Sequence, residues 1–244
     1  MIRKTQIELP DTVLAGEMSG SREDFLLLHA GGERRQVWRP VMEQLSRAGL
    51  GCVAYDQRGH GSSRAADQNN IDRFGTDVTK MLSVHPRANV IVGASLGGLA
   101  AILALADPAT QSNVAGLVLV DVVPAPNPDR ARRFLSDRME NPKAAAFVES
   151  VLAHGGNLLT ATAKLTLPIL LVRASNSNAI EEHEIEHLRS MCPQLTLHHV
   201  SHTSHLVARD APAALAAHLI NFEQSYEVRK RNQHIRRNVE EMRS

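Results

Sequence analysis

A serine between two glycines gives the sequence its strongest chemical signal. Ser95 lies in the G-x-S-x-G pattern Gly93–Gly97, which follows the apolar run Asn89–Val92 and opens the apolar stretch Leu96–Ala106. A strand that turns sharply into a helix exposes such a serine as a nucleophile. Glycines are needed two residues to either side because side chains there would collide, and free N–H groups at the helix start favour developing negative charge. The pattern therefore predicts a nucleophilic serine.

A second pattern, His183–His187, is a literal H-E-x-x-H. On a helix it would place two imidazoles on one face, with Glu184 as a base, as in zinc proteases. The charges of Glu181, Glu186 and Arg189 around it are instead typical of a solvated surface helix. We therefore expect no catalytic metal and at most adventitious metal binding at this surface.

Short apolar runs alternate along the chain with amphipathic stretches. The runs are Phe25–His29, Gly51–Tyr55, Asn89–Val92, Gly116–Val120, Pro168–Val172 and Leu195–Val200. The helical patterns are Trp38–Ala48, Asp72–Val84, Leu96–Ala106, Glu181–Met191 and Pro212–Phe222. Near-continuous apolar runs are typical of strands buried on both faces of a parallel sheet. The alternation predicts an α/β fold with a doubly wound, mostly parallel sheet.

One segment interrupts this alternation and divides the predicted core. Residues 122–166 begin with Pro124, Pro126 and Pro128 and have the pattern of two or three short helices. We interpret them as a small cap insertion over the carboxyl edge of the sheet, between core residues 1–121 and 167–222. The alternative is an extended crossover with no role in the site.

The last segment, residues 223–244, is predicted to be a charged helical tail, with the core complete by Phe222. Its apolar residues Val228, Ile235, Val239 and Met242 are spaced to form one helix face. This face is expected to pack on its own domain, and the alternative hypothesis is a homodimer formed through the C-terminal helix.

Three further segments extend the signal of Ser95. Residues 26–32, Leu-Leu-Leu-His-Ala-Gly-Gly, are followed by Trp38, and residues 55–63 contain the loop D-x-R-G-x-G-x-S. Residues 201–206 place histidines after the last predicted strand. In this order the segments resemble the α/β-hydrolase superfamily over residues 20–222. The resemblance is strongest to small hydrolases and perhydrolase-like proteins, and it implies an α/β-hydrolase fold with a short helical cap.

The resemblance implies roles for individual residues. Ser95 is the expected nucleophile, and His205 is the expected general base, with His202 as its rival in the same loop. The backbone N–H groups of Gly31 and Leu96 are expected to form the oxyanion hole.

Other histidines are expected to have structural roles. His29 would brace the oxyanion loop and His60 the R-G-H-G turn, whereas His198 and His199 lie on a predicted strand. Ala30 stands where relatives often have glycine, so its φ angle must be negative.

The acid of the triad departs from the family pattern. Relatives usually carry it after the strand predicted at Pro168–Val172, where this chain has Asn178, which cannot stabilise an imidazolium as a carboxylate can. Asp121, at the end of the preceding strand, is the expected replacement and should accept the hydrogen bond from His205. Glu181 and Glu182 are further candidates, although a helix start suits them as first-turn charges. Without any such contact, the site would be a Ser–His dyad.

Composition limits the function classes. The 244 residues carry a formal net charge of +1, which implies no general attraction to nucleic acid or to a membrane. Two cysteines are too few for a disulfide framework and fit a reducing compartment. No apolar run approaches the roughly 18 residues of a membrane span, and the first residues lack a signal peptide's apolar stretch. The sequence therefore predicts a cytoplasmic protein with a small-molecule substrate.

The first function hypothesis is a serine hydrolase that cleaves a small ester, thioester or lactone through an acyl-Ser95 intermediate, with no cofactor. The second is a non-hydrolytic or C–C-bond-cleaving enzyme, such as a cyclase or lyase, on the same fold. The third is a non-catalytic binding protein. Arg34 and Arg35 are expected in a solvated loop, with pairing to a substrate carboxylate as the alternative.

Overall fold

A computed structural model describes residues 1–63, 70–136, 140–225, 228–232 and 234–235. Its centre is one eight-stranded sheet with the order β1-β2-β4-β3-β5-β6-β7-β8. The strands are β1 Ile2–Glu8, β2 Val13–Ser19, β3 Phe25–Leu28, β4 Cys52–Tyr55, β5 Val90–Ala94, β6 Gly116–Val120, β7 Ile169–Ala174 and β8 Leu195–Val200. Strands β3 to β8 run parallel, as the buried apolar runs predicted.

Helices connect the parallel strands and cover both faces of the sheet. They are α1 Arg39–Arg47, α2 Ile71–Val84, α3 Leu96–Leu105, α4 Pro108–Ser112, α5 Pro128–Phe134, α6 Pro142–Ala153, α7 Gly155–Thr162, α8 Glu182–Met191, α9 Val207–Asp210 and α10 Pro212–Glu223, with a 3₁₀ turn at Arg35–Trp38. The α/β, doubly wound architecture is confirmed. In the described part of the chain, no helix combines the length and apolar character that crossing a bilayer requires.

The core has two layers because alternate side chains of a strand point to opposite faces. In β3, Leu26 and Leu28 join one cluster with α2, α3 and α8, while Phe25 and Leu27 join the other with α1 and α10. The sheet is therefore buried on both faces, and loops at its carboxyl edge are held by packed elements on either side.

The sequence analysis missed an antiparallel hairpin at the start of the chain. Strand β1 pairs with β2 along its whole length, and β2 pairs antiparallel with β4. β1 is mostly exposed and carries Arg3, Lys4 and Gln6, so it lacks the apolar run of a central strand. Such a polar edge strand is stabilised by its pairing with β2, and charged side chains protect its free edge.

The cap segment lies between β6 and β7. Within its described residues it forms α5, α6 and α7. Phe147 of α6 packs against Phe74 of α2, with ring centroids 5.4 Å apart. Helix α7 contributes Leu158 and Ala161 to the core cluster shared with α3. The segment is therefore packed onto the parallel sheet domain.

The core continues beyond Phe222, contrary to expectation. Val228 and Ile235 are buried in the cluster that contains α1 and α10. Asn232 is buried as well and accepts a hydrogen bond from Asn89 at 2.5 Å. Two apolar positions of the predicted stripe, Val239 and Met242, lie outside the described residues, so the homodimer remains a hypothesis.

An ion-pair network anchors the R-G-H-G loop. The fully buried Asp56 carboxylate pairs with the Arg35 guanidinium and accepts backbone hydrogen bonds from Arg35 at 2.6 Å and Ser62 at 2.7 Å. Arg35 also reaches Glu17 at 3.3 Å. The expectation that Arg35 is solvated is wrong, since its charge is used inside the fold, whereas Arg34 is exposed.

His29 links the loop after β3 to this network. Its Nδ1–H donates to the Ala30 carbonyl at 2.8 Å, and its Nε2 accepts from the Gln57 N–H at 3.0 Å. Burial lowers the pKa of His29 to about 4, which keeps the ring neutral and Nε2 able to accept. His60 packs against this ring at 5.1 Å. In the described chain Ala30 avoids the positive φ that Gly32 adopts at 78°, so alanine fits there.

Shortening the buried side chain of Val228 should destabilise the fold. Val228→Ala removes two methyl groups from a fully buried site and is expected to lower the free energy of unfolding by about 2 kcal/mol. Urea unfolding followed by circular dichroism measures this change. The exposed neighbour Arg229 provides the control, and Arg229→Ala should shift stability by less than about 0.5 kcal/mol. Equal urea midpoints for Val228→Ala and Arg229→Ala would contradict the packing of Val228 in the core.

His29 should make stability depend on pH. Between its ordinary value of 6.5 and its folded value of about 4, the unfolded chain binds a proton that the folded chain does not. Stability should therefore fall as pH falls through this window, by about 2 kcal/mol from pH 7 to pH 5. The His29→Asn variant should have a lower free energy of unfolding than wild type at pH 7, but this free energy should fall less on acidification. Urea unfolding at both pH values tests this, and the exposed His187→Asn should keep the wild-type slope.

Candidate active site

Ser95 occupies a strained turn between β5 and α3. Its backbone has φ 47° and ψ −113°, a conformation that non-glycine residues rarely adopt. A Cβ atom on Gly93 would lie 2.5 Å from the Gly98 backbone, and one on Gly97 would lie 2.5 Å from the Leu28 carbonyl oxygen. The glycines are therefore required by the close approach of strand, turn and helix.

Strand pairing places Ser95 beside Asp121. Ala94 at the end of β5 pairs with Val120 at the end of β6, and the Ser95 N–H donates to the Val120 carbonyl at 3.2 Å. The next residues of the two strands, Ser95 and Asp121, thus leave the same edge of the sheet side by side. This juxtaposition follows from parallel register, since adjacent parallel strands end together.

Asp121 is fully buried and contacts His205 directly. Its Oδ2 lies 2.9 Å from His205 Nδ1, and its Oδ1 accepts the Ala174 N–H at 3.0 Å. The residue has φ 50°, a left-handed conformation that aspartate tolerates better than most side chains. When the carboxylate is ionised it can only accept, so the proton of this hydrogen bond lies on Nδ1, and a neutral imidazole then keeps a free lone pair on Nε2.

The loop that carries His205 is fixed to the loop after β7. The Asn176 N–H donates to the Thr203 carbonyl at 3.0 Å, and the Ser204 N–H donates to Asp210 Oδ2 at 3.0 Å. His202, the rival base, is exposed at φ 58°, and its N–H donates to Ser175 Oγ at 2.8 Å. The contact with Asp121 is made by His205.

The other acid candidates lie elsewhere. Asn178 is exposed, and within the described chain it forms no hydrogen bond with His205. Glu182 pairs with Arg173 at 2.5 Å, and Glu181 pairs with Arg130 at 2.9 Å. Both glutamates lie at the start of α8, as expected for charges that favour a helix N-terminus.

Ser95 is half-buried, and its hydroxyl does not hydrogen-bond to His205 in the described structure. Catalytic hydrogen bonds are often long without substrate and shorten when substrate binds. The structure therefore brings His205 and Asp121 together directly and places Ser95 at the neighbouring strand end.

The two expected oxyanion donors also lie at this edge. Leu96 is the first residue of α3, where a backbone N–H has no partner within the helix. Gly31 follows β3, whose Leu28 pairs with Gly93 of β5. Strand order thus puts the Gly31 segment on the side of β5 away from β6, and Leu96 directly follows Ser95.

The H-E-x-x-H segment lies in α8 but one of its residues is not solvated. Glu184 is buried, pairs with Arg130, and accepts the Asn127 N–H at 2.8 Å and the Glu181 N–H at 2.8 Å. Burial acts to raise the pKa of Glu184, but Arg130 and the two N–H groups outweigh it and lower the pKa. In the described residues no three acidic, histidine or cysteine side chains form a metal cluster.

A cavity of about 440 Å³ lies between the cap and α8. Apolar residues such as Val123, Leu158 and Leu188 form most of its wall, and His183 and His187 lie at it too. Ser95, Asp121 and His205 do not line it. This cavity is therefore separate from the paired histidine and aspartate.

Sequence reasoning missed one side chain at the site. Phe134, the last residue of α5, packs against the His205 ring with centroids 4.8 Å apart and planes at 76°. Nothing in the spacing of the cap sequence distinguished it, because the contact joins segments 71 residues apart in the chain.

Solved structures share this fold over nearly the whole chain. The structure of E-2-(acetamidomethylene)succinate hydrolase matches with a TM-score of 0.74 and 19% identity, covering 92% of this chain and 100% of that one. A thioesterase domain from the curacin biosynthetic pathway matches with a TM-score of 0.73 and 16% identity, covering 90% and 99%.

Curated relatives match over shorter segments. The putative carbamate hydrolase RutD of Variovorax paradoxus is 41% identical over 117 residues, which cover 46% of this chain and 42% of that protein. The esterase Rv0045c of Mycobacterium tuberculosis is 36% identical over 124 residues, covering 47% and 40%. The matched segment thus spans less than half of each relative. A family model for the alpha/beta hydrolase fold matches residues 25–163, more than half of the sequence. The chain belongs to the α/β-hydrolase fold family.

Proposed function

We propose that this chain is a serine hydrolase that cleaves a small ester, thioester or lactone through an acyl-Ser95 intermediate. The observation that carries the proposal is the 2.9 Å contact between His205 Nδ1 and the buried Asp121 carboxylate, one strand away from the strained Ser95 turn. The similarity to proteins named as carbamate hydrolase and esterase supports hydrolysis.

Acylation uses the free lone pair on His205 Nε2. As Ser95 Oγ attacks the substrate carbonyl carbon, Nε2 takes the hydroxyl proton, and the Asp121 carboxylate stabilises the resulting imidazolium. The carbonyl oxygen becomes an oxyanion that accepts hydrogen bonds from the Leu96 and Gly31 N–H groups. When the intermediate collapses, His205 gives the proton to the leaving oxygen or sulfur, and an acyl-serine remains.

Deacylation repeats these steps with water. His205 takes a proton from the water that attacks the acyl carbon, the same N–H donors hold the new oxyanion, and Ser95 recovers its proton as the acid leaves. Every proton is accounted for by Ser95, His205, water and substrate, so the proposed reaction needs no cofactor.

Covalent labelling tests the nucleophile. A fluorophosphonate probe should form an adduct on Ser95, located by peptide mass spectrometry, and the protein should turn over p-nitrophenyl acetate. Ser95→Ala should abolish labelling and lower turnover by more than about 100-fold. Ser112→Ala, at an exposed serine of α4, is the control and should behave as wild type. Labelling without turnover of any ester would favour a cyclase or lyase. The absence of both labelling and turnover would favour a non-catalytic binding protein.

The orienting carboxylate is tested by a shape-conserving change. Asp121→Asn keeps an oxygen for the Ala174 N–H and tolerates the positive φ, but loses the charge that stabilises the imidazolium. We expect kcat to fall by about 10⁴-fold, with the unfolding midpoint changed much less. Asn178→Asp is the opposite change at an exposed site and should alter kcat less than about threefold. A loss below about tenfold for Asp121→Asn would show that its contact with His205 is structural only.

A further inference from the structure

The first helix of the cap is anchored to α8 by an ion-pair cluster in which Arg130 and Glu184 are buried and Glu181 is exposed. Arg130 of α5 pairs with Glu184 and, at 2.9 Å, with Glu181, so the guanidinium bridges two carboxylates at the start of α8. Glu184 also accepts the N–H of Asn127, the cap residue of α5, at 2.8 Å. Loss of one partner would leave a buried charge unpaired, which is strongly unfavourable. Helix α5 is therefore held in a fixed position.

Phe134 lies four residues after Arg130, one turn further on the same side of α5. Its ring contacts the imidazole of His205 edge-on at 4.8 Å. Even so, 39% of Phe134 is exposed, and it is one of four large apolar side chains that the described structure leaves exposed. The anchored helix thus presents an apolar ring surface at the catalytic histidine.

The role of the histidine decides which part of a substrate meets this ring. A general acid must lie next to the atom it protonates, which in acyl transfer is the leaving oxygen or sulfur. The expected oxyanion donor Gly31 lies in the loop after β3, which pairs with β5 on the side away from β6 and Asp121. A side chain in contact with His205 is therefore adjacent to the alcohol or thiol portion, and the acyl chain extends elsewhere.

We propose that Phe134 is a specificity-determining residue whose exposed ring packs against the apolar portion of the leaving group. The substrates are then esters or thioesters with an apolar alcohol or thiol. This inference rests on the proposed hydrolase function, because it uses the path of the proton from His205 to the leaving group.

Two isomeric esters separate the leaving-group side from the acyl side. Hexyl acetate has a long alcohol and a short acyl group, and ethyl hexanoate has the reverse, with the same atoms and similar overall hydrophobicity. In the wild type, kcat/KM should rise from ethyl acetate to hexyl acetate. Phe134→Ala should lower kcat/KM for hexyl acetate by about tenfold, mainly through KM, and should affect ethyl hexanoate much less.

Two variants control for loss of packing. Phe134→Leu keeps an apolar side chain and should recover most of the preference for hexyl acetate. Phe147→Ala removes the other cap phenylalanine, which packs against Phe74 of α2, and should leave the ratio between the two isomers unchanged. Circular dichroism melts check that each variant folds.

The outcomes are distinct. Equal losses of kcat/KM for both isomers in Phe134→Ala would overturn the inference and limit Phe134 to holding the His205 ring. A larger loss for ethyl hexanoate would also overturn it, because it would place Phe134 on the acyl side. Either result leaves the hydrolase function intact if the fluorophosphonate still labels Ser95. If the wild type neither labels nor turns over any ester, the proposed function fails and this inference fails with it.

Discussion

The site depends on the strained backbone at Ser95. A positive φ at a non-glycine residue costs about 1–3 kcal/mol and persists only where surrounding structure enforces it. Here β5 is buried in the middle of the sheet, α3 packs across it, and Gly93 and Gly97 allow strand, turn and helix to approach closely. The parallel strands on either side then bring the other groups to the same edge. If this turn relaxed, the proposed nucleophile would lose its position relative to all of them.

The contact between Asp121 and His205 follows from the same strand order. Because β6 lies next to β5, a residue that ends β6 needs only a left-handed backbone turn to direct its side chain toward the histidine loop. Aspartate tolerates that conformation, and the Ala174 N–H fixes its second oxygen. In relatives, the carboxylate that contacts the histidine is expected in the loop after β7. In this chain it is Asp121, which follows β6, the preceding strand. Asn178 can therefore be exposed and neutral without leaving His205 unpaired.

Helix α8 carries a metal-site sequence pattern whose glutamate has a structural role instead. Glu184, which in an H-E-x-x-H helix would serve as a base, instead accepts hydrogen bonds from two backbone N–H groups and pairs with Arg130. These contacts compensate the burial of its charge. They also position α5, and through it Phe134, against His205. The same glutamate thus connects a surface helix to the environment of the proposed general base.

The sequence by itself determined the fold class, the parallel strands, most helix positions and the Ser95 turn. Apolar periodicity and glycine spacing are local properties, and burial on both faces gives the central strands an unmistakable composition. It also suggested Asp121 as the acid that contacts His205, because the end of a strand can be predicted from its apolar run. The polar hairpin β1–β2 lacked such a signal. The apolar face of the tail was apparent in the sequence, but the burial of Val228 and Ile235 in a core that continues beyond Phe222 was not. Tertiary structure alone decided where Arg35 is paired and that Phe134 lies on His205. These contacts join segments far apart in the chain, and their energies depend on burial and direction, which residue spacing does not record.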